Sequence, residues 1–340
     1  MINSSAGCAC VSIYSMAEWV LAAGGVTIGT VTALYAGAYV YCKQTCGHYT
    51  INSDLTGKSF LVTGATAGIG RETARQLASN GATVHLLCRN TQKAAAVAEK
   101  IKEESKNDNV YVWSVDTSKL GSVRNFAKAF LATSHGINCL INNAGTWQAV
   151  RQESEDGLEL TMATNHFGPF LLTNLLLDRI KEAKDARIVN VTSRAHLRAN
   201  LTMENYDMDE LNYSPHSVYA NSKLANVLFT KHLARKLENT GVTTNTLHPG
   251  LVETDIFENL PPTWKTVFDC IGRPLAKSVE DGAATTLYLA TSPEVQHTTG
   301  KYFADCKEAQ PSRKADDQQF ATDFWELSAK ITGLCAETQR

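Results

Sequence analysis

Tyr219 and Lys223 stand four residues apart in Tyr-Ala-Asn-Ser-Lys. On a helix that spacing puts both side chains on one face, one turn apart. A free phenol has a pKa near 10, too high for easy proton exchange at neutral pH. A neighbouring ammonium favours the phenolate and is expected to lower that value. A tyrosine tuned in this way can give a proton to a carbonyl oxygen as it receives hydride, or take one back from an alcohol. Two further polar residues suit the same chemistry. Ser193 follows the β-branched run Val-Asn-Val-Thr, where a hydroxyl can hold a substrate oxygen. Asn165 lies in Thr-Asn-His-Phe-Gly, inside a helical stretch that does not favour asparagine.

A second constellation points to a phosphate. The run from Thr63 to Gly70 carries glycines at 64, 68 and 70, just after an apolar strand. A strand-to-helix turn of that composition lets the backbone approach a pyrophosphate at the helix N-terminus, where N–H groups and the helix dipole favour an anion. The residue after the second strand selects the dinucleotide. An acid there would bond a ribose 2′-hydroxyl, whereas arginine accommodates a 2′-phosphate. The sequence has Arg89, a permanently charged, bidentate donor. The expected cofactor is therefore NADPH/NADP+, with NADH disfavoured.

These residues need a scaffold, and the hydrophobic pattern provides one. Strands are expected at 59–63, 83–88, 110–114, 139–142, 187–192 and 243–248, with a short one ending at 302–303. Helices are expected at 69–80, 91–106, 120–134, 157–179, 218–239, 278–291 and 317–331. Strands that are apolar throughout and alternate with helices imply a parallel sheet covered on both faces. The expected fold class is α/β, a doubly wound Rossmann-type sheet in a single domain. Ligands of such sheets gather at the strand C-termini, which is where Gly64, Arg89 and Ser193 fall.

Composition narrows the partners. The chain has 340 residues, 44% hydrophobic and 19% charged, with a net charge of −2. That excludes wholesale disorder and the basic footprint of a nucleic-acid binder. Nine cysteines are scattered without a paired metal-ligand pattern, so no metal site is expected, and the thiols read as reduced and mostly buried. No feature fixes the oligomeric state; the fold class is compatible with a homo-oligomer.

The N-terminal region reads differently. Trp19 through Cys42 is a run of 24 residues without Asp, Glu, Lys, Arg or His. As a helix it spans about 36 Å, enough for a hydrocarbon core about 30 Å thick. A cleaved signal peptide would need a basic start and a shorter apolar stretch; a buried helix is the other alternative. The downstream Lys43 and Lys58, against Glu18 upstream, place the bulk of the chain in the cytosol. The expected organisation is a tail at 1–18, a transmembrane anchor helix at 19–42, a linker at 43–54, the catalytic domain at 55–334 and a tail at 335–340.

Taken together, these residues resemble the short-chain dehydrogenase/reductase superfamily. The pieces are the Gly-rich run, Asn142-Asn143-Ala144-Gly145, Asn165, Ser193, Tyr219 with Lys223, and His248-Pro249-Gly250. Their order and spacing match over roughly residues 55 to 310. The stretch from Tyr219 to Thr230, the run into His248 and Gly300-Lys-Tyr-Phe-Ala-Asp-Cys306 look like the membrane-anchored retinol dehydrogenases and retinal reductases. The resemblance implies an NADP(H)-dependent enzyme acting on a lipophilic alcohol or carbonyl, held at the endoplasmic reticulum with its catalytic domain facing the cytosol.

By that resemblance Tyr219 is the general acid/base, Lys223 binds the nicotinamide ribose and lowers the tyrosine pKa, Ser193 orients the carbonyl, and Asn165 supports a proton relay. Gly64, Thr66, Gly68, Ile69 and Gly70 would line the pyrophosphate. Asp116 would approach the adenine and Asn143, with Ala144 and Gly145, the adenosine ribose side. Pro249, Gly250 and Thr254 would meet the nicotinamide end. Three positions depart from the usual pattern: Thr117 follows Asp116 in place of leucine, Ala67 is not basic, and Thr192 precedes Ser193. The apolar segment after Thr254, with Phe257, Leu260 and Trp264, is expected to cover the substrate. Steroid or fatty-aldehyde carbonyls suit the same residues. A non-catalytic nucleotide-binding scaffold would have lost Tyr219, Lys223 or Ser193, and none is lost. A double-bond reductase of the protochlorophyllide type would call for a transit peptide that the uncharged N-terminal run does not resemble.

Overall fold

The computed structural model describes residues 33–37, 39–40, 45–252, 266, 269 and 272–334. Among the described residues eight strands form one sheet: β1 (Ser59–Thr63), β2 (Thr83–Cys88), β3 (Val110–Ser114), β4 (Cys139–Asn142), β5 (Arg187–Val191), β6 (Thr243–His248), β7 (Tyr302–Ala304) and β8 (Lys307–Ala309). Their spatial order is β3-β2-β1-β4-β5-β6-β7-β8. Every pairing is parallel except β7 with β8, a short hairpin the hydrophobic pattern does not announce. Chain order reverses between β1 and β4, the switch point at which the ligand crevice of such a sheet opens.

Alternation along each strand divides the core in two. Leu61 and Leu140 face one hydrophobic cluster, while Phe60, Val62, Cys139 and Ile141 face the other. The second cluster is covered by α1 (Gly68–Ser79) and α2 (Thr91–Ser105). The first is covered by α3 (Leu120–Leu131), α4 (Gly168–Glu182) and α5 (Pro215–Lys236). Helix α6 (Val279–Thr291) joins the second layer, and α7 (Gln318–Ile331) lies on α5 in the first. The doubly wound fold expected from the sequence is the fold observed.

Two helices begin elsewhere than the periodicity suggests. The helix expected from 218 starts at Pro215, because Ser214 accepts the Ser217 N–H and proline fits the first helical position. The helix expected over 157–179 opens as a single turn at Leu160–Met162, capped by the Glu159 carboxylate, and passes through a π-helical turn at Ala163–Phe167 before α4. Proline explains the wide turn. Pro169 has no N–H to give the Asn165 carbonyl four residues earlier, and its ring clashes with that carbonyl. The Gly168 N–H instead reaches back five residues to Ala163.

Ahead of β1, residues 46–51 run along the domain. Tyr49 packs edge-on against Tyr288 at 5.4 Å, and its hydroxyl lies 3.1 Å from that of Thr291. Ile51 is buried, and His48 meets Asp281 at 3.2 Å. Most of the expected anchor at 19–42 falls outside the described residues; 33–37 and 39–40 are helical. Among the described residues no helix is long and apolar enough to cross a membrane. Thr254, the apolar segment that follows it to Trp264, and the tails at 1–18 and 335–340 also lie outside them.

One contact ties the α4 entry to the β3–α3 loop. A Cβ on Gly168 would stand 1.9 Å from the Thr117 carbonyl oxygen, a backbone atom that cannot step aside. Gly168→Ala is therefore expected to destabilise the fold by about 3 kcal/mol or to block folding outright, as severe overpacking does. A thermal melt of the variant against the wild type checks this.

Candidate active site

Because β1 to β6 are parallel, the residues that follow them meet at one edge. Gly64, Arg89, Asp116, Asn143, Ser193 and Pro249 each lie just beyond the C-terminal end of a strand. Tyr219 and Lys223 reach the same edge from the first turns of α5.

The Gly-rich turn is built for close approach. Gly64 and Gly68 have φ of +67° and +50°, a region that suits glycine. A Cβ on Gly70 would lie 2.4 Å from the Gly64 carbonyl oxygen. No side chain caps the N-terminus of α1, where Ala67 is the capping residue, and Thr66 and Ile69 are half-exposed beside it. The free N–H groups and the missing Cβ atoms fit a pyrophosphate. Asn143 holds this turn from behind: its amide Nδ2 donates to the Thr63 carbonyl at 2.9 Å. The Thr63 hydroxyl accepts the N–H groups of Asn143 and Ala144, both at 2.9 Å. Thr63 thus braces the turn; in the sequence it stands out only as the first residue of the Gly-rich run, since a threonine ending a strand carries no distinguishing signal.

Arg89 is exposed at the end of β2. The adjacent Asn90 side chain is committed to capping α2 through the Lys93 N–H at 2.8 Å. Asp116 is half-buried, and its Oδ1 accepts from both the backbone and the hydroxyl of Ser118, at 3.0 and 2.6 Å.

The reacting end is more deeply set. Lys223 is buried, its Nζ lying 5.5 Å from the Tyr219 ring centroid and donating to the Val191 carbonyl at 3.3 Å. The Thr192 hydroxyl donates to the Lys223 carbonyl at 2.7 Å, fixing α5 against the end of β5. Ser193 begins a 3-10 turn, its Oγ accepting the Ala195 N–H, and its hydroxyl also hydrogen-bonds Tyr219.

Burial reverses the expected tuning of the phenol. Desolvation pushes Tyr219 up to about 12, and the Ser193 hydrogen bond opposes this only in part. The same desolvation pushes Lys223 down to about 8. Removal of water disfavours both charged forms, and here it outweighs the attraction between ammonium and phenolate that the i, i+4 spacing suggests. The resting pair is a neutral phenol beside an ammonium of reduced basicity.

Asn165 sits in the π-helical turn with its side chain fully engaged. Its Oδ1 accepts the Thr146 N–H at 2.7 Å, and its Nδ2 donates to the Thr146 carbonyl and to Ser222 Oγ, both at 3.0 Å. Gly145 lies between this amide and the lysine: a Cβ there would stand 3.3 Å from Lys223 Nζ and 3.4 Å from Asn165 Oδ1. On the far side Gly250, with φ of +93°, packs on the Lys277 side chain, whose backbone N–H donates to the Leu251 carbonyl at 2.7 Å. Lys277 pairs with Asp305. Among the described residues no cluster of His, Cys, Asp or Glu could hold a metal ion. Among the described residues Cys46, Cys88, Cys139 and Cys306 form no disulfide.

The profile described as short chain dehydrogenase matches residues 58–208 and 209–264. The chain belongs to that family. It is an oxidoreductase of the alcohol–carbonyl type that binds a nicotinamide dinucleotide. It is 38% identical to human retinol dehydrogenase 12 over 317 residues, covering 91% of this chain and 98% of the relative. Human retinol dehydrogenase 13 is 37% identical over 319 residues, 92% and 95% of the two chains. An uncharacterized protein from Mycobacterium Paratuberculosis has a similar structure, with a TM-score of 0.68 at 32% identity over 84% of this chain and 98% of its own. A Burkholderia cenocepacia short chain dehydrogenase, solved in complex with NADP, aligns with a TM-score of 0.60 at 25% identity over 74% and 97%. The expected resemblance to the retinol dehydrogenases is borne out.

As part of the reacting pair, Lys223 would set the pH window. Lys223 is charged below about 8 and loses its proton as the pH rises through that value, while Tyr219 keeps its own up to about 12. The kcat/KM for carbonyl reduction should therefore be level below about pH 8 and fall above it. A pH–rate profile decides this; a rate that rises between pH 8 and 10 would contradict it.

Proposed function

We propose that the chain is an NADPH-dependent reductase and dehydrogenase for a lipophilic alcohol–carbonyl pair, with retinol and retinal as that pair. The observation that carries the reading is the meeting of the Tyr219 phenol with the Ser193 hydroxyl, 5.5 Å from ring to Lys223 Nζ, at the edge where the Gly-rich turn opens. Similarity to retinol dehydrogenases over most of the chain supports the substrate class.

When bound, the dihydronicotinamide supplies hydride to the carbonyl carbon. The rest is done by the chain's own groups. Ser193 Oγ donates a hydrogen bond to the substrate oxygen and orients it. The neutral Tyr219 gives its proton to that oxygen as negative charge develops there. The phenolate left behind is favoured by the Lys223 ammonium, which the Val191 carbonyl keeps in place. In the reverse direction the same phenolate takes the alcohol proton. Arg89 at the end of β2 would take the 2′-phosphate, and the uncapped start of α1 the pyrophosphate. The uncharged run at 19–42 would anchor the enzyme in the endoplasmic reticulum membrane with the domain in the cytosol, where a substrate dissolved in lipid is within reach.

Tyr219→Phe should lower turnover of retinal with NADPH by about 10²-fold or more, the scale of lost general-acid catalysis, while NADPH binding is kept. Retained turnover would remove Tyr219 as the proton donor. Assays of the wild type against retinal, steroid and fatty-aldehyde panels decide the substrate; activity confined to the latter two would overturn the retinal assignment.

Arg89→Ala should raise the NADPH dissociation constant at least about tenfold, since a charge-assisted bond to phosphate is worth roughly 1.5–3 kcal/mol. NADH binding should stay within about threefold. Fluorescence titration with both dinucleotides measures this, and equal losses would reject phosphate recognition at Arg89.

A further inference from the structure

His166, next to Asn165 in sequence, is 1% exposed and is not used by the mechanism above. Its ring lies among Phe167, Phe170, Phe229 and Phe324, with centroids 5.1 to 6.3 Å away. An imidazole in so apolar a place needs a reason, because each of its nitrogens requires a partner. Both have one: Nδ1 is 3.3 Å from Asn226 Oδ1 on α5, and Nε2 is 2.9 Å from Ser328 Oγ on α7.

The direction of these bonds follows from Pro169. Lacking an N–H, it leaves the Asn165 carbonyl without its helical donor. Asn226 Nδ2 takes that place, donating at 2.9 Å. The amide of Asn226 is thereby oriented, and its Oδ1 must face His166. Two acceptors cannot pair, so His166 carries its proton on Nδ1 and donates it to Asn226. Its bare Nε2 then shares the single Ser328 hydroxyl hydrogen with the Phe324 carbonyl, to which Ser328 Oγ donates at 2.7 Å, in a three-centre arrangement. Burial holds the ring neutral, pushing its pKa down to about 4.

We propose that His166 is a positioning residue: it orients the Asn226 amide, which secures the Asn165 carbonyl and with it the Asn165 side chain that holds Thr146, and through it the adjoining Gly145 beside Lys223. The chain of contacts runs from His166 through Asn226 and Asn165 to the Thr146 N–H, and a Cβ on the neighbouring Gly145 would lie 3.3 Å from Lys223 Nζ. The bond to Ser328 ties α7 to the same ring but leads no further toward the crevice.

The proposal rests on the reading of Tyr219 and Lys223 as the reacting pair only for its kinetic consequence, so the test has two readouts. His166→Phe keeps the volume and removes both bonds. His166→Asn restores a donor where Nδ1 stood, and His166→Gln restores a polar group where Nε2 stood. In the full-length protein, the Phe variant should speed hydrogen exchange at the Thr146 amide and lower kcat by about 10- to 100-fold, the cost of a small misplacement, with NADPH affinity unchanged. The Asn variant should recover both readouts and the Gln variant neither. A role confined to docking α7 gives the opposite order, with Gln recovering the melting temperature and Thr146 protected throughout; that result overturns the proposal. So does a folded Phe variant with normal exchange at Thr146. Should the Phe variant fail to fold, the Asn and Gln pair still decides the question. Exchange is read without substrate, so a change at Thr146 in an enzyme inactive on every carbonyl tried would sustain this proposal while removing the catalytic reading.

Discussion

An ammonium group kept out of water is the constraint around which the site is organised. Lys223 is held by a backbone carbonyl at 3.3 Å and by the face of a phenol, in surroundings that lower its basicity to about 8. A buried charge without partners is costly, and the Val191 carbonyl and the Tyr219 ring are the partners the fold supplies. The Thr192 bond to its carbonyl and the Asn165 bonds to Thr146 and Ser222 keep those groups from drifting. The strain of keeping the lysine charged is then available to a reaction that produces an anion next to it. The phenol beside it is neutral at rest, its pKa raised by the same dry environment; that is the form the proposed reduction would need.

The polar layer under the site continues into the core. Asn142 donates to Asn190 at 2.8 Å and to Thr173 at 3.0 Å, and Asn190 donates to Thr230 at 2.9 Å. These bonds tie β4 and β5 to α4 and α5, the helices that carry the approach to Asn165 and the Tyr219–Lys223 pair. Both amide hydrogens of Asn142 are used in this way, while its Oδ1 is buried without a partner. Apolar packing would hold the helices against the sheet; the amides and hydroxyls set their register along it.

Much of this is legible in the sequence, and for physical reasons. The central strands β1, β2, β4 and β5 are largely apolar on both faces because helices cover both, so their pattern survives without any knowledge of contacts. The glycines at 64, 68 and 70 are visible because no other residue suits the turn. The four-residue step from Tyr219 to Lys223 places the pair on one helix face directly. What sequence cannot supply is the balance between desolvation and charge attraction, and so the direction of the Tyr219 shift is misjudged from spacing alone. The π-helical turn is hidden for another reason: Pro169 signals a disturbance, but only the position of Asn226, 61 residues further on, shows how the freed carbonyl is satisfied. The start of α5 at Ser214-Pro215 was within reach, since a capping hydroxyl followed by proline is a local signal.

The packing of residues 46–51 bears on how the domain can be separated from whatever precedes it. Tyr49 and Ile51 complete the surface of α6 and its layer, so a chain trimmed to the first strand would leave Tyr288 and the Ile51 hollow uncovered. Burying an isoleucine alone is worth about 1.5–3 kcal/mol. A fragment that keeps this packing begins no later than Cys46, nine residues before Leu55, where the regular alternation of strand and helix would suggest making the cut.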